Sequence, residues 1–470
     1  VTVRLLSCLI LGMLAVQVQA AEPKTAEPNS PKPEAKSVSA NLYSADLLQL
    51  YGESRLEDPR VLAAYARKQL GAEQEREAFG SLLPQVTASA GANRIKQVNE
   101  QVNQIYNSEN YSIGLSQVLY NKASWENYKK YQSMAKQSAS EADEAQAEAT
   151  VDLAQRYFAA LAADDELELV QAERRATQKN LDQIEAMYKR QLAMITDLLD
   201  LRARVDSLAA QEVDASNQVR LSRAALSEIV GRPVTERLSR VRNDVQLKVS
   251  EQSLESWVQL AQTQNPNIQA NLSAVEAAEA GVRGGKGGHY PTLSLNLNAQ
   301  NTNEGYNNSL APKTDSYVAG VQLSVPIYSG GSTSARARGL YQQQVTAEQQ
   351  LEAARRQVVK ETINAYLTAD SSVEKIRANR NALASAEQSR VASEKAFKYG
   401  VVNAVDVLTS VQNEFKARRD LLKTQYDFIT NLFILNRWAG KLSSESVESV
   451  NVWLSNNSKT EPVLERETTQ

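Results

Sequence analysis

The chain has 470 residues, a formal net charge of −3 and 23% charged side chains of both signs. That balance provides no basic stripe of the kind nucleic acid requires. The single cysteine, Cys8, lies in the first twenty residues, so the rest of the chain has no disulfide, no thiolate metal site and no thiol chemistry.

Residues 1–20 read as a secretory signal. Arg4 supplies the positive start, Leu5 to Val18 the apolar run, and Val18-Gln19-Ala20 an acceptable cleavage site. A membrane helix is disfavoured, because the run is short and wrongly flanked. Leu5-Leu6-Ser7-Cys8 resembles a lipoprotein box, but too little apolar sequence precedes Cys8 for export. The chain begins with Val, and missing upstream residues would reopen lipidation at Cys8. Residues 21–40 carry Pro23, Pro28, Pro31 and Pro33 among Glu, Lys and Ser, the composition of a disordered leader.

From Asn41 onward the chain is a tandem repeat. Residues 41–231 form one copy and 265–440 the other, with 232–264 between them and 441–470 after. Landmarks recur in order: Asp58-Pro59 with Asn265-Pro266, Leu83-Pro84-Gln85 with Tyr290-Pro291-Thr292, Tyr120 with Tyr328, and Gly231 with Gly440. The offsets are 207 at the prolines, 208 at the tyrosines and 209 at the final glycines. Each half is therefore expected to fold alike. Asp58-Pro59 and Asn265-Pro266 each predict a helix start, a capping residue followed by Pro in the first turn.

Each copy then predicts two alternating strands. Val86, Ala88, Ala90 and Ala92 interleave with Thr87, Ser89, Gly91 and Asn93, and Tyr111, Ile113 and Leu115 with Ser112, Gly114 and Ser116. In the second copy Leu293, Leu295, Leu297 and Ala299 alternate with polar neighbours, as do Tyr317, Ala319, Val321, Leu323 and Val325. Period two means one apolar and one polar face. Exposed polar loops are expected over about Lys96 to Asn110 and Asn301 to Thr314.

Beyond the strands, no Gly or Pro occurs from Leu115 to Val230, and no Pro from Ile327 to Glu461. Such stretches predict very long helices. Leu198, Leu201, Val205, Leu208, Ala215, Val219, Leu226 and Ile229 keep the three-four spacing of a coiled-coil seam, as do Leu408, Val411, Phe415, Leu422, Ile429 and Leu432. Two antiparallel helices folding back near Asp197 are expected, the first roughly 100 Å long. The stretch around Asp406 echoes that tip.

Two explanations fit the strands: a small soluble sheet covered on one face, or part of a transmembrane β-barrel. Segments of about nine to twelve residues suffice to cross a bilayer when tilted. Helices of such length cannot be covered by so small a sheet. Four strands leave two open edges, which hydrocarbon does not tolerate. A membrane sheet must therefore close with copies from other subunits.

No catalytic set, cofactor site or metal-ligand spacing is found. His289, the only histidine, sits beside Tyr290-Pro291 as a polar junction residue. Gly284-Gly285-Lys286-Gly287-Gly288 fails as a phosphate loop, because Gly rather than Ser or Thr follows Lys286 and no strand precedes it. Its glycines are expected to ease a helix into a strand.

The signal, the duplicated strand–strand–long-hairpin unit, and the segments Leu82-Leu83-Pro84-Gln85, Ser116-Gln117-Val118-Leu119-Tyr120, Ile195-Thr196-Asp197, Tyr399-Gly400 and Val405-Asp406-Val407-Leu408 together resemble the TolC family of outer membrane channels. The resemblance spans about Asn41 to Gly440. It implies a mixed α and β membrane protein: a homotrimer with a twelve-stranded β-barrel, four strands per chain, continued by a coiled-coil α-helical barrel across the periplasm. It also implies a small equatorial region from Arg232 to Gln264 with part of the tail after Gly440. The implied function is an exit duct for drugs or proteins, recruited by a periplasmic adaptor and an inner membrane pump, with no enzymatic activity and no cofactor.

By the same resemblance the pore gate lies at the hairpin tips, at Thr196, Asp197, Phe397, Tyr399, Asp406 and Thr409. Adaptor contacts fall at Leu192, Ile195, Gly400 and Val401. The chain departs from the family where Phe397 and Val402 replace a Tyr and an Arg that tie the tip shut, where Thr409 replaces a carboxylate, and where Gln191 stands opposite Gly400. The gate is left to rest on one carboxylate ring, on Tyr399 or on apolar packing. Two other classes compete: a periplasmic adaptor, which has long hairpins but lacks this duplication, and a coiled-coil structural or adhesion protein, which lacks the strand pairs.

Overall fold

The computed structural model describes residues 45–98, 103–242, 247–248, 252–304 and 313–455. The expected signal and leader, 1–40, lie outside the described residues. Among the described residues no helix is long and apolar enough to cross a membrane.

The two copies carry the same elements in the same order. In the first, α1 (Leu47–Glu57) gives way to α2 (Pro59–Gly80), then β1 (Gln85–Val98), β2 (Asn103–Tyr120), α3 (Lys122–Lys189) and α4 (Ile195–Val230). The second has α5 (Leu254–Gln264), α6 (Pro266–Gly287), β4 (Thr292–Glu304), β5 (Lys313–Ser324), α7 (Ser332–Lys398) and α8 (Ala404–Trp438). Between the copies runs β3 (Arg240–Val241), and after them α9 (Ser444–Asn451) and β6 (Leu454–Ser455).

Asp58 and Asn265 start α2 and α6 as expected. The Asp58 carboxylate accepts from the Arg60 N–H at 2.8 Å, and the Asn265 side chain from the N–H groups of Asn267 and Ile268 at 2.9 and 3.2 Å. Each following Pro fills the first helical turn, where its missing N–H costs nothing.

The long helices have 68 and 67 residues, about 100 Å each. Towards the sheet α3 packs on α2 and α6. Tyr65 donates to Gln146 at 2.6 Å, and Arg283 reaches the buried Glu126 at 2.9 Å. The glycine run before β4 behaves differently from the expectation. It stays helical through Gly287, where a Cβ would stand 2.7 Å from the Ala123 backbone nitrogen. Those glycines serve helix-on-helix approach rather than the change from helix to strand. His289 is exposed in the turn that follows.

The sheet is antiparallel throughout, in the order β1-β2-β4-β5. Its register aligns the alternation across all four strands. Val86, Leu115, Leu297 and Ala319 form one apolar row, and Ser89, Ser112, Gln300 and Ser316 a polar row on the other face. Among the described residues, one edge of β1 and one of β5 have no partner strand. Three of the four strands outrun the expectation, with 14, 18, 13 and 12 residues, and the ladders extend into both expected loops. Pairing of Asn93 with Ser108, and of Asn301 with Asp315, continues after apolar alternation stops. Backbone pairing does not need an apolar face, so alternation marks only part of each strand.

Midway along the helices lies the largest core. Leu50, Tyr157, Phe158, Leu226, Phe428, Ile429 and Phe433 pack with Val447 and Leu454. There β3 pairs with β6, Val241 opposite Leu454, and Ala45 bridges Leu238.

Candidate functional site

At the end of the helices away from the sheet, both hairpins reverse, and the two reversals are built differently. In the second, Gly400 takes the left-handed conformation that ends α7 (φ 73°), and Val401 N–H returns to the Ala396 carbonyl at 3.0 Å. Asn403 and Asp406 then form a capping box at the start of α8. The Asp406 N–H donates to the Asn403 side chain at 2.8 Å, and the Asn403 N–H donates to the Asp406 carboxylate at 3.2 Å.

The first reversal keeps the backbone return, with Leu192 N–H donating to the Met187 carbonyl at 2.9 Å, but lacks the capping box. Gln191 occupies the left-handed position (φ 62°) that Gly400 fills in the other hairpin, and is the non-glycine residue with positive φ among the described residues. Met194 stands at the cap of α4 and offers no side-chain acceptor. Asp197 is the third residue of α4 as Asp406 is of α8, so the two carboxylates are equivalent in position. Asp406 is engaged and exposed, whereas Asp197 is half-buried.

The remaining tip residues divide between surface and packing. Thr196, Thr409 and Tyr399 are exposed, and the Thr409 hydroxyl bonds back to the Val405 carbonyl at 2.9 Å. Leu192, Ile195 and Val401 are exposed apolar residues, at 67%, 46% and 75% of their full surface. Phe397 instead turns inward. It packs against an apolar cluster of Leu181, Ile184, Leu198, Leu201, Ala404 and Leu408, which draws on both hairpins. It also touches a second cluster of Leu169, Val407, Val411 and Phe415, which Val402 joins. Where the family resemblance implies polar ties, this chain has apolar packing between hairpins.

Polar ties exist higher up, and sequence reasoning missed them. Glu173 of α3, with no exposed surface, accepts from Arg204 of α4 and from Arg419 of α8, the latter at 2.7 Å. Arg419 also meets Glu166 at 2.9 Å. Nearer the core, Tyr426 of α8 donates to the buried Asp165 of α3, which pairs with Arg240 of β3 at 2.8 Å. Burial pushes the Asp165 carboxyl above the usual aspartate range, against the pull of Arg240 and Tyr426. A signal was present: Glu173 lies at four-residue steps from Leu169 and Thr177, on a line that continues to Leu181. All four are buried.

Long paired helices on a half-built antiparallel sheet, duplicated within one chain, define a channel protein of the outer membrane type. A sequence model of the family described as "Outer membrane efflux protein" matches residues 50–232 and 257–441, one segment per repeat. The chain belongs to that family and is an outer membrane protein. It is 30% identical to the outer membrane protein TolC of Vibrio cholerae over 414 residues, 87% of this chain and 94% of that one. It is 26% identical to the alkaline protease secretion protein AprF of Pseudomonas aeruginosa, over 86% of each chain. The solved outer membrane protein VceC of Vibrio cholerae shares the fold, with TM-score 0.73 and 17% identity over 84% of this chain and 96% of that one.

Proposed function

We propose that three copies of this chain close their sheets into a twelve-stranded barrel in the outer membrane and continue as one helical tunnel into the periplasm. The observation that carries this is the four-stranded sheet whose two outer edges have no partner among the described residues, on helices about 100 Å long. An open edge is not stable in hydrocarbon, and two copies would give only eight strands, whose interior side chains fill. Three copies leave a lumen.

The chain is then the exit duct of a tripartite export system, and performs no chemistry itself. The exposed apolar residues Leu192, Ile195 and Val401, beside Gly400, form the surface on which a periplasmic adaptor would seat, with an inner membrane pump supplying energy. The family's description as an efflux protein and a relative named for alkaline protease secretion support both efflux and protein export. Family membership sets aside the adaptor and adhesion alternatives. The gate is assigned to the tip: Asp406 and Asp197 as carboxylates near the aperture, Thr196, Thr409 and Tyr399 beside them, and Phe397 as part of the apolar seal. Deleting the gene in its host tests the function. Sensitivity to toxic small molecules, or loss of a secreted protein, is expected and should be restored by the intact gene. An unaltered phenotype on both counts contradicts export.

A further inference from the structure

We propose that the two unpaired sheet edges meet between copies in one defined register, with Ser324 of β5 opposite Ser89 of a second copy's β1. The inference rests on the barrel reading above and adds its register. The chain contains its own template, because the β2–β4 seam already joins one repeat to the next. Transferring that seam requires the strand offsets, 208 for β2 to β5 (Tyr120 to Tyr328) and 207 for β1 to β4 (Pro84 to Pro291). These offsets pass an internal check. They carry the observed pair Gln85 and Ser116 onto Thr292 and Ser324, which are indeed opposite.

Applied to the seam, they carry Ser116 opposite Asn296 onto Ser324 opposite Ser89, and Leu115 opposite Leu297 onto Leu323 opposite Ala90. Faces agree, apolar against apolar and polar against polar. A slip by one residue would invert every side chain of one strand, so it is excluded wherever one face meets lipid. Slips by two keep the faces and need a second criterion.

Two residues supply it. Val318 in β5 and Ile95 in β1 are apolar residues on the polar face, in the rows of Asn298 and of Tyr106 respectively. Val318 is 56% exposed in the single chain. The transferred register places Val318 directly opposite Ile95. A shift of two in either direction would set Val318 against Asn93 or Gln97 instead. Pro326 agrees too. It corresponds to Val118, beside the irregularity in the β2–β4 ladder, and Pro is accommodated in strands at edges and bulges.

Paired cysteines test the register, in the full-length protein with Cys8→Ser. Matched pairs are Ser324→Cys with Ser89→Cys, and Val318→Cys with Ile95→Cys. Offset pairs are Ser324→Cys with Gly91→Cys, and Ser324→Cys with Thr87→Cys. A short bismethanethiosulfonate is applied to outer membranes, and linked chains are counted on denaturing gels, with each single cysteine as baseline. The matched pairs should give roughly tenfold more inter-chain product than the offset pairs. Strongest linking at an offset pair, or none at any pair in an intact oligomer, overturns the register and leaves the barrel standing. A detergent-solubilised monomer that links at no pair overturns both.

Discussion

Arg419, on the returning helix of the second hairpin, donates to Glu173 of the first at 2.7 Å, and Glu173 has no exposed surface. Because Arg204 holds the same carboxylate from α4, three helices are fastened at one point. Hydrogen bonds to charged groups contribute about 1.5–3 kcal/mol, and removing a partner leaves the buried charge less compensated. Arg419→Ala should therefore destabilise the protein by about 2 kcal/mol and raise single-channel conductance in planar bilayers. Arg356→Ala, which breaks an exposed pair with Glu352, should change stability by no more than about 0.5 kcal/mol. Equal effects of the two in thermal unfolding would show that the buried network fastens nothing.

Substitution can separate the capping of α8 by Asp406 from the pore role proposed for it. Asn403→Ala removes the cap and leaves the carboxylate, so it should cost about 1 kcal/mol with block by multivalent cations preserved. Asp406→Asn keeps a side-chain acceptor and loses the charge, so cation block should weaken. Unchanged block in Asp406→Asn removes this residue from the pore.

The reversals differ at one backbone position. Gln191 sits at φ 62°, where a side chain costs about 1 kcal/mol relative to Gly, and Gly400 sits at φ 73° without that cost. Gln191→Gly should stabilise and Gly400→Ala should destabilise, each by about 1 kcal/mol. Opposite melting shifts in the two variants check this.

Asp165 gives a pH dependence of known sign. Its carboxyl is raised by burial, so the folded chain holds a proton that the unfolded chain releases first. The charged groups facing it are Arg240, Glu168 and Asp164, with the Tyr426 hydroxyl as donor. Its contribution to stability is full below the ordinary aspartate value and is lost as pH rises through the elevated one. Asp165→Asn, which stays neutral, should flatten that part of the profile. Melting temperatures from pH 4 to pH 8 should show the variant gaining on the parent as pH rises, and parallel profiles would contradict the assignment.

Much of this fold was legible in sequence because its signals are long. Eight seam positions from Leu198 to Ile229 specify a helix more firmly than any propensity, and Asp58-Pro59 and Asn265-Pro266 mark their helix starts chemically. The strands beyond Asn93 were hidden, since ladder pairing continues without apolar alternation. The glycines before β4 were misjudged because close approach to Ala123 is a tertiary fact. At the tips the sequence gives residue types but not partners. Asn403 reaching Asp406 is local and could be anticipated, whereas Arg419 reaching Glu173 joins residues 246 positions apart.

The most direct measurement is the mass of the protein extracted from outer membranes in mild detergent, taken by native mass spectrometry. Three chains in one heat-sensitive particle are expected. A monomer that remains soluble in water without detergent would contradict the shared barrel.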